Sequence, residues 1–125
     1  MKSPGFDFQF CEKVNEIPTE FVVQKFKNQT FIVISQFGKM GNLFTVKFDK
    51  VEENFANPVQ VGVGIPITIN CNFGPDTDEV RAGLTFLVNK TKLGERQKDF
   101  LISFGLKEIN GKVLREVAQV LEKCL

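Results

Sequence analysis

Alternating apolar and polar residues characterise the first part of the chain and predict β-strands there. Phenylalanine occupies every second position of residues 6–10, which indicates a strand with one buried face. The Ile-Pro-Thr segment at 17–19 is expected to break the chain before a second strand at 21–26. Residues 31–37 and 43–48 predict two further strands, and the glycine-containing turn between them favours a β-hairpin.

A longer alternation follows an irregular stretch at 51–58. Every odd position from 59 to 73 is apolar and the even positions are small or polar, so this segment predicts another half-buried strand. Pro66 has no backbone N–H to donate to a neighbouring strand. The strand is therefore expected at a sheet edge, or interrupted at Pro66 by a bulge or turn.

The hydrophobic period changes to that of an α-helix in the last third of the chain. Asp76 is expected to cap a helix that ends just before Gly94, and Asn110 to cap a second, final helix. Residues 100–106 between these helices predict a strand. We therefore expect one α+β domain over residues 1–125, with an antiparallel sheet of about six strands and two α-helices on one face.

Three strand segments, at 21–23, 31–34 and 100–102, are apolar at consecutive positions. If both helices cover one sheet face, these segments place apolar groups on the other face as well. One explanation is that the chain covers the second face itself, with a helix on each side or by curling into two layers. The other is that this face is buried in a protein interface such as that of a dimer. The residues expected to form the dimer face are Val22, Ile32, Ile34, Leu43 and Leu101.

The composition narrows the chemistry that the chain can carry. Its 125 residues include 16 Lys and Arg, 15 Asp and Glu, and 14 Phe, but no His, Trp or Tyr, and the net charge is +1. Without histidine there is no imidazole base, nucleophile activator or metal ligand, so we expect no enzyme, cofactor or metal site. The near-neutral charge argues against nucleic-acid binding. No apolar run approaches the length of a membrane span.

The cysteines and the N-terminal residues bear on location. The three cysteines are odd in number and far apart, which is typical of reduced thiols. The first residues lack the apolar stretch of a signal peptide. We therefore expect the protein in the cytoplasm, with the nucleus as a further compartment.

A basic stretch comprises Lys90, Lys92, Arg96 and Lys98. The simplest interpretation is that these cations follow a helix whose first turn is acidic, and so complement its dipole. A partner-facing electrostatic role is the alternative.

Residues 32–43 resemble the central hairpin of the proteasome assembly chaperone 3 family, in which a strand runs into a Gln-Phe-Gly-Lys-Met-Gly turn. All six residues of that turn are present at 36–41. The segments at 17–23 and 114–117 resemble, in the same order, the family's entry into its second strand and the start of its last helix. The segment at 59–75 departs from the family, because it is longer and richer in glycine and asparagine.

This resemblance implies a function that the composition alone does not indicate. Family members are ATP-independent chaperones of 20S proteasome assembly that form dimers, often with the sister proteasome assembly chaperone 4. They bind α-type subunits while the α-ring is built and leave as β-type subunits are added. We expect this chain to pair with such a sister chaperone or with itself. We expect the turn to contact the client and the second sheet face to form the dimer, although the two surfaces could have the opposite roles. The residues expected to contact a partner are Gln36, Phe37, Gly38, Lys39, Met40, Gly41 and Asn42.

Other interpretations stay open. The phenylalanines could line an interior pocket for an apolar small molecule, which would make the protein a carrier. An enzyme would need a lysine- or carboxylate-based site, and the sequence does not locate one. The turn at 38–41 could also be no more than a solvated connection between strands.

Overall fold

The computed structural model describes residues 7–38, 40–49 and 64–125, so the predictions for Phe6, Lys39 and residues 51–63 lie outside the described residues. The described chain contains six strands and three helices. The strands are β1 (Phe8–Val14), β2 (Ile17–Lys25), β3 (Thr30–Gln36), β4 (Leu43–Phe48), β5 (Ile67–Phe73) and β6 (Phe100–Gly105). The helices are α1 (Asp78–Lys90), α2 (Lys92–Arg96) and α3 (Gly111–Glu122).

The six strands form one mixed sheet in the order β1-β2-β3-β6-β4-β5. β3 and β6 are parallel, whereas the other neighbouring pairs are antiparallel. The predicted α+β class is confirmed, but the prediction of an antiparallel sheet is wrong. The predicted hairpin of β3 and β4 is also wrong, because β6 lies between them. Ile102 of β6 pairs with Ile32 on one side and with Phe44 on the other. The period-two pattern defines the buried face of a strand but not its neighbours.

The β1–β2 connection is a two-residue hairpin turn. Asn15 and Glu16 both have positive φ, at +51° and +64°, as a type I′ turn requires. The predicted break at 17–19 is therefore wrong, because these residues belong to β2 and Ile17 pairs with Val14. Asparagine tolerates the left-handed conformation, but the Asn-Glu pair lacks the glycine that marks most such turns.

Three helices are present where two were predicted. Thr77 rather than Asp76 caps α1, because the Thr77 hydroxyl accepts a hydrogen bond from the backbone N–H three residues on. Asn110 caps α3 as predicted. Gly94 does not follow a helix but lies within the short helix α2. It is buried against the carbonyl of Val88, which leaves no room for a side chain.

The predicted edge position is confirmed for residues 67–73, which form the outer strand β5 of the described sheet. The prediction that the strand runs through Pro66 is wrong, because residues 64–66 are not in a strand and β5 begins directly after the proline. Arg81 of α1 ties this strand to the helix layer, because its Nη1 donates to the carbonyl of Ile69 at 3.1 Å. The same guanidinium donates to both carboxylate oxygens of Asp76, at 2.7 and 2.8 Å. Hydrogen bonding to Arg81 lowers the pKa of the Asp76 carboxyl below its usual value.

All three helices pack on the same face of the sheet, as predicted. Their apolar side chains contact one set of alternating strand positions, which includes Phe21, Ile32, Ile34 and Phe104. No helix of the described residues covers the opposite face, so these residues do not sandwich the sheet. We call this side the open face. Its apolar residues are Val22, Phe31, Val33, Leu43 and Leu101.

Candidate protein-interaction surfaces

The open face carries an apolar strip across its central strands. Val22 and Val33 pair across β2 and β3, and Phe31 and Leu101 pair across β3 and β6. Val22 is only 4% exposed, whereas Phe31, Val33 and Leu101 are half-buried. These side chains form a shallow apolar surface that no described helix covers.

Two of the five residues predicted for the dimer face are on the wrong side of the sheet. Ile32 and Ile34 are fully buried beneath the helices. Adjacent residues of a strand point to opposite faces, so a run such as 31–34 contributes alternately to the core and to the open face. The pattern indicated that both faces are apolar, but it did not assign individual residues to the helix-covered face or to the open face. The structure places Val22, Leu43 and Leu101 on the open face.

Polar residues surround the apolar strip on the open face. Glu20 and Gln24 lie on β2 on either side of Val22, and Thr45 of β4 pairs with Leu101. The Thr45 hydroxyl donates to the side chain of Asn72 at 2.7 Å. An apolar centre with a polar rim is the usual anatomy of a protein interface.

A buried hydroxyl lies within this strip. Ser103 of β6 pairs with Val33, is inaccessible to solvent, and has no hydrogen-bond partner for its Oγ among the described residues. A buried polar group without a partner is destabilising, because it loses its bonds to water and gains none in the protein.

Ser103→Ala is therefore expected to stabilise the protein. Removing the unpaired hydroxyl should raise the free energy of unfolding by about 1 kcal/mol. Urea denaturation followed by far-UV circular dichroism measures this change. A loss of stability would contradict the prediction and show that the hydroxyl is hydrogen-bonded.

The β3–β4 loop, defined as residues 36–42, crosses the end of β6 and is held at both ends by buried amides. At its start, the Gln36 side chain donates to the Thr19 hydroxyl at 3.1 Å and to the carbonyl of Val14 at 3.4 Å. Its Oε1 accepts the backbone N–H of Lys107 at 2.7 Å. Gln36 thus links the β1–β2 hairpin to the chain that leads into α3.

Asn42 holds the other end of the loop. Its Nδ2 donates to the carbonyl of Phe104 at 3.0 Å, and its Oδ1 accepts the N–H of the same residue at 2.8 Å. β4 pairs with β6 up to Phe44 and Ile102, so Asn42 stands where the next antiparallel pair would form. Its side chain therefore replaces the backbone of a partner strand.

The described loop residues between these anchors, 37–38 and 40–41, are exposed. Phe37 is 65% exposed and Met40 is 47% exposed. Phe37 and Gly38 have φ of +65° and +66°, which is unusual for a bulky residue such as phenylalanine. The predicted partner-contact residues thus divide into two groups. Gln36 and Asn42 are buried anchors, whereas Phe37, Gly38, Met40 and Gly41 are exposed.

Phe73 was not predicted as a surface residue. A register shift in the β4–β5 pairing places it opposite Leu43 and leaves it 48% exposed. Gly74, with φ of +89°, then passes so close to the carbonyl of Gly41 that no other residue would fit. Phe73 and the β3–β4 loop are therefore at the same end of the sheet. The alternation that assigned Phe73 to the buried side contains no signal for the bulge.

An open cleft of about 370 Å³ lies behind the β3–β4 loop, between the loop, the start of α1 and the chain that follows β6. The phenylalanines that a carrier would need around an interior pocket are instead packed in the core, among them Phe21, Phe44 and Phe100. Over the described ranges, no group of three or more Cys, Asp or Glu is arranged to hold a metal ion. No described helix has the length and apolar character needed to cross a membrane.

These features define a small α+β domain whose most distinctive parts are a sheet face that no described helix covers and an anchored loop with exposed residues. The sequence model of the family described as "Proteasome assembly chaperone 3" matches residues 32–124. The chain belongs to this family of chaperones.

Two relatives agree with this assignment, and a solved structure has a similar fold. The mouse and human proteins named proteasome assembly chaperone 3 are each 24% identical over 116 residues, which is 93% of this chain and 89% of theirs. A crystal structure described as a novel chaperone complex for yeast 20S proteasome assembly contains a chain of similar fold. The TM-score is 0.67 and the identity 18%, with 93% of this chain and 94% of that chain covered.

Proposed function

We propose that this protein is a non-enzymatic, ATP-independent chaperone of 20S proteasome assembly. It acts as a dimer, binds α-type subunits while the α-ring forms, and is released at a later stage of assembly in the cytoplasm and nucleus. The observation that carries the proposal is the family match over residues 32–124. The description of the yeast structure as a chaperone complex for 20S proteasome assembly supports it, since the folds are alike.

In this proposal the open face forms the dimer interface. Phe31, Val33 and Leu101 of the apolar strip support this role, because association would remove these half-buried side chains from water. The partner is a sister chaperone similar to proteasome assembly chaperone 4, or a second copy of this chain. The polar rim favours one orientation of the two chains, because other orientations would bury polar groups without hydrogen-bond partners.

The β3–β4 loop and the adjoining Phe73 form the client-binding surface in this proposal. The support for it is geometric: Gln36 and Asn42 hold the loop at both ends, and Phe37 and Met40 project from it into solvent. An anchored loop loses less conformational entropy on binding than a free one. Methionine and phenylalanine offer an adaptable and a rigid apolar contact, respectively. Release would follow when later subunits compete for the same client surface.

Capture of a client tests the proposed function. The tagged chain, co-expressed with its sister chaperone and with individual α-type subunits, is expected to retain at least one α-type subunit on an affinity resin. Retention of none, while the sister chaperone is retained, would overturn the client proposal. Addition of ATP is expected to leave the retained amount unchanged.

Substitution of the loop residues is expected to weaken this capture. Phe37→Ala combined with Met40→Ala should lower the affinity for the retained α-type subunit about tenfold, since each removes an exposed apolar contact. The melting temperature should not fall, because neither side chain is buried. Phe8→Ala, at an exposed phenylalanine of β1, is the matched control. Equal affinity of the double variant and the control would show that the loop is only a solvated connection.

A further inference from the structure

Four cations surround one small depression at the end of the sheet opposite to the β3–β4 loop. The depression has a volume of about 40 Å³. Its cations come from three parts of the chain: Lys25 ends β2, Lys92 and Arg96 begin and end α2, and Lys98 precedes β6. The remaining lining residues are Thr30, Leu93 and Leu125. We call the four cations Lys25, Lys92, Arg96 and Lys98 the basic cluster.

No member of the basic cluster forms an ion pair with an Asp or Glu side chain within the described part of the chain. The ion pairs found there are Arg81–Asp76 and Lys123–Glu12, and neither involves a member of the cluster. Two nearby carboxylates bind backbone N–H groups of the cluster and offset part of its positive charge. Asp7 accepts the backbone N–H of Lys25 at 2.9 Å, and Glu122 accepts that of Lys92 at 2.7 Å.

Contacts within the chain hold three of the four cations. The Lys98 ammonium donates to the carbonyl of Phe26, and the Lys92 ammonium donates to an oxygen of Leu125, the last residue of the sequence, at 3.4 Å. The Lys25 ammonium lies 5.6 Å from the centre of the Phe8 ring. These contacts orient the side chains. The fold thus brings four cations to one depression, in a chain whose net charge is only +1.

This arrangement changes the interpretation of the basic stretch found in the sequence. Lys90 lies in the last turn of α1, where it complements the helix dipole. Lys92, Arg96 and Lys98 instead turn towards Lys25, which is far away in the sequence. The helix dipole of α1 therefore explains the position of Lys90 but not the grouping of the other three cations with Lys25.

We propose that the basic cluster is a second docking site, which binds a carboxylate side chain in an acidic segment of a partner protein. A volume of 40 Å³ accommodates about three water-sized atoms, which matches a carboxylate group. The Thr30 hydroxyl and the guanidinium of Arg96 supply hydrogen-bond donors at the depression. Phe26, 52% exposed on the adjacent turn, offers an apolar contact beside the charges. A nucleic acid would instead need a row of phosphate contacts along a groove.

A direct test uses no proteasome subunit, so its outcome is independent of the proposed function. A blocked hexapeptide of alternating Asp and Glu is titrated into the ¹⁵N-labelled chain, and amide chemical shifts are followed by NMR. Saturable shifts are expected at Thr30, Leu93, Arg96 and Lys98. The matched peptide of Asn and Gln should bind at least tenfold more weakly. Raising the salt concentration from 50 to 200 mM should lower the affinity of the acidic peptide several-fold.

Variants and competing ligands make the test decisive. Arg96→Gln should reduce the peptide affinity at least fivefold, whereas Lys112→Gln, at an exposed cation in the first turn of α3, should leave it unchanged. Unchanged spectral dispersion would show that both variants are folded. The proposal is overturned if the acidic peptide causes no saturable shifts at these amides. Equal binding of inorganic phosphate, or binding of phosphatidylserine vesicles without binding of the peptide, would also overturn it.

Discussion

Leu101→Glu is expected to dissociate the proposed dimer while leaving the fold of each chain intact. Leu101 is on β6 near the centre of the open face, paired with Phe31 on one side and Thr45 on the other. A glutamate there would remain hydrated in the monomer but would lose its water in the dimer. Burying an uncompensated charge costs about 3–5 kcal/mol, so the dissociation constant should rise at least a hundredfold.

Light scattering coupled to gel filtration measures this effect at micromolar concentration, for the chain alone and for its mixture with the sister chaperone. Lys112→Glu is the control, because Lys112 is exposed in the first turn of α3, on the helix-covered side of the sheet. It should leave the dimer mass unchanged. A Leu101→Glu variant that keeps the dimer mass would place the interface elsewhere on the molecule. Melting curves of both variants establish that each is folded.

The hydrophobic pattern could predict the elements of this fold but not their arrangement. The strands and the Asn110 cap follow from local spacing, which acts over a few residues. The insertion of β6 between β3 and β4 depends on contacts such as Ile102 with Ile32 and Phe44, which are remote in sequence. Local pattern does not encode that choice, so the sheet was predicted as antiparallel.

The candidate surfaces were predictable to a similar extent. Apolar runs indicated a second face in need of cover, and the resemblance to a family drew attention to residues 36–42. Neither could show that Gln36 and Asn42 are anchors, because their hydrogen bonds reach residues 71 and 62 positions away. The sequence did not indicate the basic cluster for the same reason, because Lys25 on β2 is far from the other three cations along the chain.

The anchoring role of Asn42 predicts the largest loss of stability in the loop. Asn42→Ala leaves the buried N–H and carbonyl of Phe104 without partners. Each unpaired group costs about 1–3 kcal/mol, so the free energy of unfolding should fall by about 2–6 kcal/mol. Domains of this size have only about 5–15 kcal/mol in total, so the melting temperature should drop on the order of 10 °C.

Urea and thermal denaturation measure this loss, and two further variants test its cause. Asn72→Ala, at an exposed amide bonded only to Thr45 in the described residues, should cost less than about 0.5 kcal/mol. Asn42→Asp keeps the acceptor for the Phe104 N–H but turns a carboxylate oxygen towards its carbonyl, so at neutral pH it should be no more stable than Asn42→Ala. A cost below about 0.5 kcal/mol for Asn42→Ala would show that water replaces the amide. The loop would then be held at Gln36 alone, and Asn42→Ala should leave client capture unchanged.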